Sequence, residues 1–364
     1  MKRIFSLVVI LLIICGLIWV SCQKKVEEKV VKIGAILPLT GKSSLLGEMA
    51  KNGLILAAKK INEKGGINGK KIKLIIEDGQ ADIKISLSAF RKLVKFENVN
   101  CIITTHSSVG LTLAPIANKE KIILIVHASH PKITGNSHYV FRHSNVADQE
   151  AKIITDFISN ILNGNKISIA AMNDDYGMVF KNTLEELIPS KGKNFRIVAS
   201  IIYEKTETDF KTVAQKLILS NPDVVVITGL GNGVGILIRR LREFGYQGNI
   251  VITLAAVATG AFQGTGESAK GVYYVNFDID SEDPHYKEVA KEYKEMFNAD
   301  FSAAPLIFYN SLILVAEAIQ KAGTSPDKIA NYLENIRSFK GIGERMDIFK
   351  EHDIVPKLKV EKKQ

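Results

Sequence analysis

The sequence predicts an α/β protein built as two doubly wound parallel-sheet lobes joined by a three-strand hinge. Three observations carry that prediction. Strand-like apolar runs alternate with segments of helical period, the alternation occurs in two successive series, and further helices follow the second series. Continuous apolar runs of this length suit strands buried on both faces, and parallel strands need crossover helices to join them. At 364 residues the chain also exceeds what one typical core encloses.

In the first series the runs Val31 to Ile36, Ile72 to Ile76, Cys101 to Thr104 and Ile122 to Val126 are the expected strands. Between the first two, Ala50, Gly53, Leu54, Ala57, Ala58 and Ile61 recur on one helix face. The second series gives Ile167 to Ala171, Ile197 to Ile202, Val224 to Thr228 and Ile250 to Leu254. Its helical stripes are Ile154, Phe157, Ile158 and Ile161, then Phe210, Val213, Ala214 and Leu217, then Val234, Leu237, Ile238 and Leu241. A further stripe through Tyr286, Val289, Ala290, Tyr293 and Phe297 precedes a long apolar helix from Leu306 to Ala322. If the chain returns to the first lobe for these helices and crosses once more near its end, three strands link the lobes. The expected division is 31–143 with 276–350 for lobe one, and 144–275 with 351–364 for lobe two. Ligands of open parallel sheets bind beyond the carboxyl ends of the strands, so two facing lobes share one cleft.

The first residues bear on location. Lys2 and Arg3 precede an apolar run from Ile4 to Val20, followed by Ser21-Cys22. That is the layout of a signal peptide. The run, at 17 residues, is short for a permanent membrane span. The stretch resembles a bacterial lipoprotein signal over residues 1–21, which implies lipid attachment at Cys22 and an extracytoplasmic, membrane-anchored protein. Residues 22–30 are charged and too poor in apolar groups to pack, and so form a tether.

With Cys15 in the leader and Cys22 lipidated, only Cys101 remains, so no intramolecular disulfide forms. Cys101 lies in an apolar strand and reads as a small buried hydrophobe. The formal net charge of +10 comes from dispersed lysines without an arginine-rich helix or interleaved aromatics. It indicates solubility and attraction to anionic surfaces, and no nucleic-acid partner is expected.

Several stretches together resemble the type I periplasmic binding proteins of the leucine, isoleucine and valine class, over nearly the whole chain from Val31 to about Asp353. They are Ile33-Gly-Ala-Ile-Leu-Pro-Leu-Thr-Gly41, Asn62-Glu-Lys-Gly-Gly-Ile-Asn-Gly69 with Ile72 to Asp78, Asp174-Asp-Tyr-Gly177 and Gly266-Glu-Ser-Ala-Lys-Gly271. The resemblance implies a hinged cleft that captures a small polar solute, with delivery to the permease subunits of an ABC importer. The same fold also serves ligand sensors that report to a membrane regulator, a reading that stays open.

Thr40-Gly41, Ser107-Ser108 and Ala128-Ser129-His130 each follow a strand, where backbone amides and hydroxyls face the cleft and suit an anionic or amide oxygen. The serines would equally serve as helix caps. By resemblance, the positions of Ser107, Ala128 and His130 hold the carboxylate and amino groups of an amino acid, while Tyr176 closes over the ligand from lobe two. Leu46 stands where an aromatic residue would form the first-lobe wall. Asn232 and Leu254, at strand ends of lobe two, complete the candidate set. Relatives that bind amino acids carry an acid after the Ile250 to Leu254 strand, whereas here the loop reads Thr253-Leu-Ala-Ala-Val-Ala258. A buried ammonium without a carboxylate is costly, so a carboxylate, amide or uncharged amine is favoured, unless Asp174 or Asp175 supplies the charge.

His106, His127 and His130 all fall near strand ends. Their spacing matches no metal-ligand pattern, so no metal is expected, with His130 bonding the ligand and the other two either packing or lying at the surface. Gly229-Leu-Gly-Asn-Gly233 lacks the lysine of a phosphate loop, and no Gly-x-Ser-x-Gly elbow is present. Neither an enzyme nor a cofactor is expected.

Overall fold

The computed structural model describes residues 30–135, 137–192, 194–339, 341–350 and 352–364. The leader, Cys22 and most of the tether lie outside the described residues.

The first sheet contains β1 (Val31–Leu37), β2 (Ile72–Asp78), β3 (Cys101–Thr105), β4 (Ile123–His127), β5 (Val140–His143), β11 (Met346–Lys350) and β12 (Asp353–Pro356), in the order β11-β12-β5-β4-β3-β1-β2. The second contains β6 (Lys166–Met172), β7 (Arg196–Tyr203), β8 (Val224–Thr228), β9 (Asn249–Ile252), β10 (Tyr273–Phe277) and β13 (Leu358–Lys362), in the order β13-β10-β9-β8-β6-β7. Pairing is parallel except at one edge of each sheet, where β11–β12 and β10–β13 run antiparallel. The central strands β3, β4, β8 and all but the first residue of β6 are buried throughout. That is what continuous apolar runs covered by helices on both faces require. Cys101 is buried at the start of β3, where burial pushes its thiol up to about 12 and leaves it inert.

After the second sheet is nearly complete the chain returns to lobe one for α9 (Pro284–Phe297), α10 (Ala303–Ala322) and α11 (Pro326–Asn335). Although α10 is long and apolar enough to cross a membrane, 14 of its 20 residues are buried inside the protein, so it is a core helix. It packs on α1 (Ser44–Glu63), and the approach is close because Gly53 has no side chain. A Cβ there would lie 2.2 Å from the Pro305 carbonyl oxygen.

Three chain crossings lie side by side. The first leaves β5 through Ser144, whose N–H donates to the Ile354 carbonyl at 3.2 Å; the second leaves β10, where Asp278 N–H donates to the Lys357 carbonyl at 2.8 Å. The third is Lys357 itself, whose N–H donates to the Arg345 carbonyl at 2.7 Å. Neighbouring backbone bonds of this kind let the lobes rotate about one narrow band.

The lobe boundaries differ from the expected ones near the C-terminus. Residues 353–356 belong to lobe one, because β12 pairs in parallel with β5 (Asp353 opposite Arg142) and closes a hairpin with β11. A turn that short leaves β12 no route to the other sheet, and only the segment after Lys357 crosses. Likewise β10 runs unbroken to Phe277, so the second crossing begins after Phe277 and not at 276.

Candidate functional site

Strand β3 ends at Thr105, and His106 then takes a positive φ of 74° before α3 (Ser107–Glu120) begins. A positive φ at a histidine is strained, and it sits where the chain turns from β3 into α3 beside the cleft. Ser107 is buried at that helix start. His106 Nε2 lies 3.0 Å from Ser43 Oγ, and burial, with Lys205 nearby, pushes its ring down to about 4, so it stays neutral. After β4 come Ala128 and Ser129, both buried. Ser129 Oγ donates to Asn145 Oδ1 at 3.1 Å, which ties the first-lobe wall to the hinge.

From lobe two, Asp174 caps α5 (Asp175–Ser190) by accepting the Gly177 N–H at 2.7 Å, and burial pushes its carboxyl upward. Tyr176 stands buried in the first turn of that helix. Leu230 precedes α7 (Gly231–Glu243), and Leu254 opens the short α8 (Leu254–Ala258) beyond β9. Lys42 Nζ of lobe one donates to the Lys205 carbonyl of lobe two at 2.9 Å, so the lobes touch across the cleft mouth.

Between them lies a cavity of about 290 Å³. Its body is apolar, walled by Leu45, Leu46, Met49, Leu230, Leu254, Val257, Phe277, Ile307 and Phe308. Its neutral polar groups come from both sides: Thr105, Ser107, Ser129, Ser144 and Asn145 from lobe one and the hinge, and Thr259 and Asn276 from lobe two. Among the described residues Asp174 is the sole charged one in the lining, and no lysine or arginine lines it. Such a cavity suits a small solute with an apolar body and a polar head held by neutral donors.

Of the residues singled out in the sequence, Leu46, Ser107, Ala128, Ser129, Tyr176 and Leu254 converge on this cavity. Ser108, Asn232 and His130 do not. Ser108 sits one residue along α3 with its carbonyl accepting the Thr112 hydroxyl at 2.8 Å, and Asn232 is exposed on α7. His130 turns away to cap the 3-10 turn Pro131–Ile133, its Nδ1 accepting the Lys132 N–H at 3.2 Å. The histidines that do line the cavity are His106 and His127. His127 Nε2 lies 2.8 Å from Ser311 Oγ, its ring packs on Phe308, and burial pushes it well below the ordinary histidine range. Asp175 is absent from the lining, whereas Asp174 is present.

Lining residues such as Ser144, Asn145, Leu230 and Phe277 were not singled out in the sequence, and a charged residue behind them escaped it as well. Glu150, on α4 (Ala147–Phe157), is fully buried behind the second-lobe wall. The signal for it was available: it precedes Ile154 by four residues and so falls on that helix's apolar face, where an acid needs a reason.

A match to the periplasmic binding protein family spans residues 30–356. An amino acid binding protein of Pseudomonas aeruginosa is 27% identical over 348 residues, covering 92% of this chain and 89% of the relative. Among solved structures, the branched-chain amino acid transporter substrate binding protein LivJ of Streptococcus pneumoniae, in complex with isoleucine, superposes with a TM-score of 0.84 at 24% identity, covering 92% of this chain and 96% of that one. An ABC transporter solute binding protein of R. palustris in complex with benzoate gives a TM-score of 0.81 at 17% identity, covering 92% and 93%. Two hinged α/β lobes around a shared cleft are what those structures have in common with this one, and the chain belongs to the periplasmic binding protein family.

Proposed function

We propose that this protein captures a small carboxylate with an apolar body between its lobes and delivers it to the permease of an ABC importer, working outside the cytoplasm on a lipid anchor at Cys22. The carrying observation is the cavity itself: an apolar body, neutral serine, threonine and asparagine groups that include Ser107 at the start of α3, and no cation in the lining among the described residues. A carboxylate head is then shared among several neutral donors, as anions at helix starts are held without a counter-ion. Isoleucine and benzoate, bound by the two structural neighbours, both carry such a head on an apolar body. Capture without turnover accords with the family, whose members are binding proteins. Native mass spectrometry of protein purified with its co-bound solute tests the proposal. A carboxylic acid of about ten heavy atoms is expected, given a cavity near the small end of ligand sites; a sugar, a cation or a released reaction product would overturn it.

A further inference from the structure

Three donors converge on the Glu150 carboxylate. Leu254 N–H reaches Oε1 at 2.6 Å, and the Tyr176 hydroxyl and the Asn145 amide reach Oε2 at 2.8 and 2.9 Å. All three partners line the cavity, so Glu150 stands one layer behind its wall. Among the described residues no cation pairs with it. The ionisable groups on the elements around it are Asp148, Lys152 and Asp156 on α4, Asp174 at the cap of α5, and Asp175, Tyr176, Lys181, Glu185 and Glu186 on α5. To these are added Lys359, Glu361 and Lys362 on β13, and His127 and His130 at the end of β4. None of their charges acts on the carboxyl appreciably: burial pushes it up to about 7, against the pull of the three hydrogen bonds.

A second observation shows where a proton has room. Thr228 and Thr253 are fully buried, and the Tyr176 phenol is the one polar group within reach of either hydroxyl among the described residues. Buried hydroxyls are rarely left unmatched. With Glu150 ionised, the phenol donates to the carboxylate and its oxygen accepts a threonine O–H. With Glu150 protonated, its O–H donates to the phenol oxygen, and the phenol proton turns to Thr253 or Thr228. Rotation of one hydroxyl converts one arrangement into the other.

We propose that Glu150 couples solute capture to the uptake of one proton: as an anionic solute is enclosed, Glu150 takes a proton from solvent and becomes a neutral acid, held by the Tyr176–Thr253/Thr228 relay. The inference rests on the carboxylate reading above. A bound carboxylate and an ionised Glu150 would face each other across a low-dielectric wall that holds no cation among the described residues, and protonating the acid removes that repulsion. The atoms balance simply, since one O–H bond forms on Glu150 and the buffer gives up the proton. The site thereby prefers monoanions, and its affinity is set by pH.

Isocaproate, the deaminated counterpart of leucine, is the probe. Calorimetry on the wild type in buffers of differing ionisation enthalpy should give an uptake approaching one proton per isocaproate bound at about pH 8, with Kd rising by up to tenfold per pH unit above about pH 7. Glu150→Gln carries an N–H where the acid would carry its proton, so it should bind isocaproate with no uptake and a flat pH profile. Asp174→Asn should keep the uptake. Infrared difference spectra of the wild type, which need no variant to fold, should show a protonated carboxyl band appearing on binding. Absence of that band and of uptake, uptake surviving in Glu150→Gln, or uptake lost in Asp174→Asn would each overturn the coupling while leaving carboxylate binding intact. Failure of both isocaproate and benzoate to bind at any pH would overturn the carboxylate reading and the coupling with it.

Discussion

Leucine and isocaproate differ by one ammonium group, which makes them a direct test of the second-lobe wall. Once the shared carboxylate is seated at the start of α3, the ammonium of leucine must face lobe two, where the segment Leu254–Ala258 offers no acid. Asp174 reaches the cavity, but one of its oxygens is committed to the Gly177 N–H at 2.7 Å and burial pushes it toward the neutral form. Glu150 stands one layer behind the wall, accepting the Tyr176 hydroxyl at 2.8 Å, and once it takes up its proton on capture it offers the ammonium no charge. An ionised carboxylate at 4 Å would contribute about 4 kcal/mol at an effective dielectric constant of 20, and a neutral one contributes none of that. The ammonium then loses water without gaining a charged partner, at a cost of about 1–3 kcal/mol. Leucine should accordingly bind roughly 5- to 150-fold more weakly than isocaproate, as read by calorimetry on the same preparation at about pH 7. Leu254→Glu, which adds an acid at the start of α8, should shift the preference toward leucine. If the wild type binds leucine as tightly as isocaproate or more tightly, the argument from the missing acid fails, and Asp174→Asn would then show whether Asp174 is the counter-charge.

Three further outcomes follow from other parts of the chain. Cys22→Ala should release the protein from membranes while leaving the thermal midpoint of the folded domain unchanged; a variant that stays fully membrane-bound would point to an uncleaved N-terminal helix. Small-angle scattering should show a smaller radius of gyration with saturating isocaproate than without it, because a solute touching both lobes favours closure by its differential affinity, and an unchanged radius would argue against the hinge. Gly53→Val should destabilise lobe one by about 3 kcal/mol through overpacking where α1 crosses α10, since its Cβ meets the Pro305 carbonyl at 2.2 Å. A midpoint within a degree of the wild type would mean that the crossing is looser than it looks.

Most of the fold was legible because its strands are buried on both faces. Runs such as Cys101 to Thr104 and Val224 to Thr228 have nothing polar to blur them, and both are strands within a residue of the expected bounds. The C-terminus was harder for a physical reason. Within ten residues, Asp353 to Lys362, the chain supplies β12 to one sheet and β13 to the other, with Lys357 alone between them. No composition shift marks that crossing, because both strands are short, four and five residues long. β5 was equally hidden: its four residues include Arg142 and His143, and these polar side chains are fully buried by partners far away in sequence, Arg142 donating to the His130 carbonyl at 2.7 Å and His143 bonding Ser311 at 2.6 Å.

At the site, the legible residues were those whose position follows from the strand that carries them. Ser107, Ala128 and Ser129 come directly after β3 and β4, and a strand end in this architecture has only the cleft to face. What sequence order could not decide was direction. Ser107 and Ser108 are neighbours, yet successive helix residues point about 100° apart, so one faces the cavity and the other does not. His130 and His127 are three residues apart, and a 3-10 turn that needs a cap takes the former while the latter stays on the wall. Glu150 shows the same limit from the other side. The stretch searched for an acid was the one after β9, but the carboxylate that meets Leu254's backbone arrives from 104 residues earlier, on a helix whose apolar stripe conceals it. A charge behind a wall is invisible to spacing along the chain. It becomes visible once the wall is built, because three cavity residues turn their donors away from the cavity and toward it.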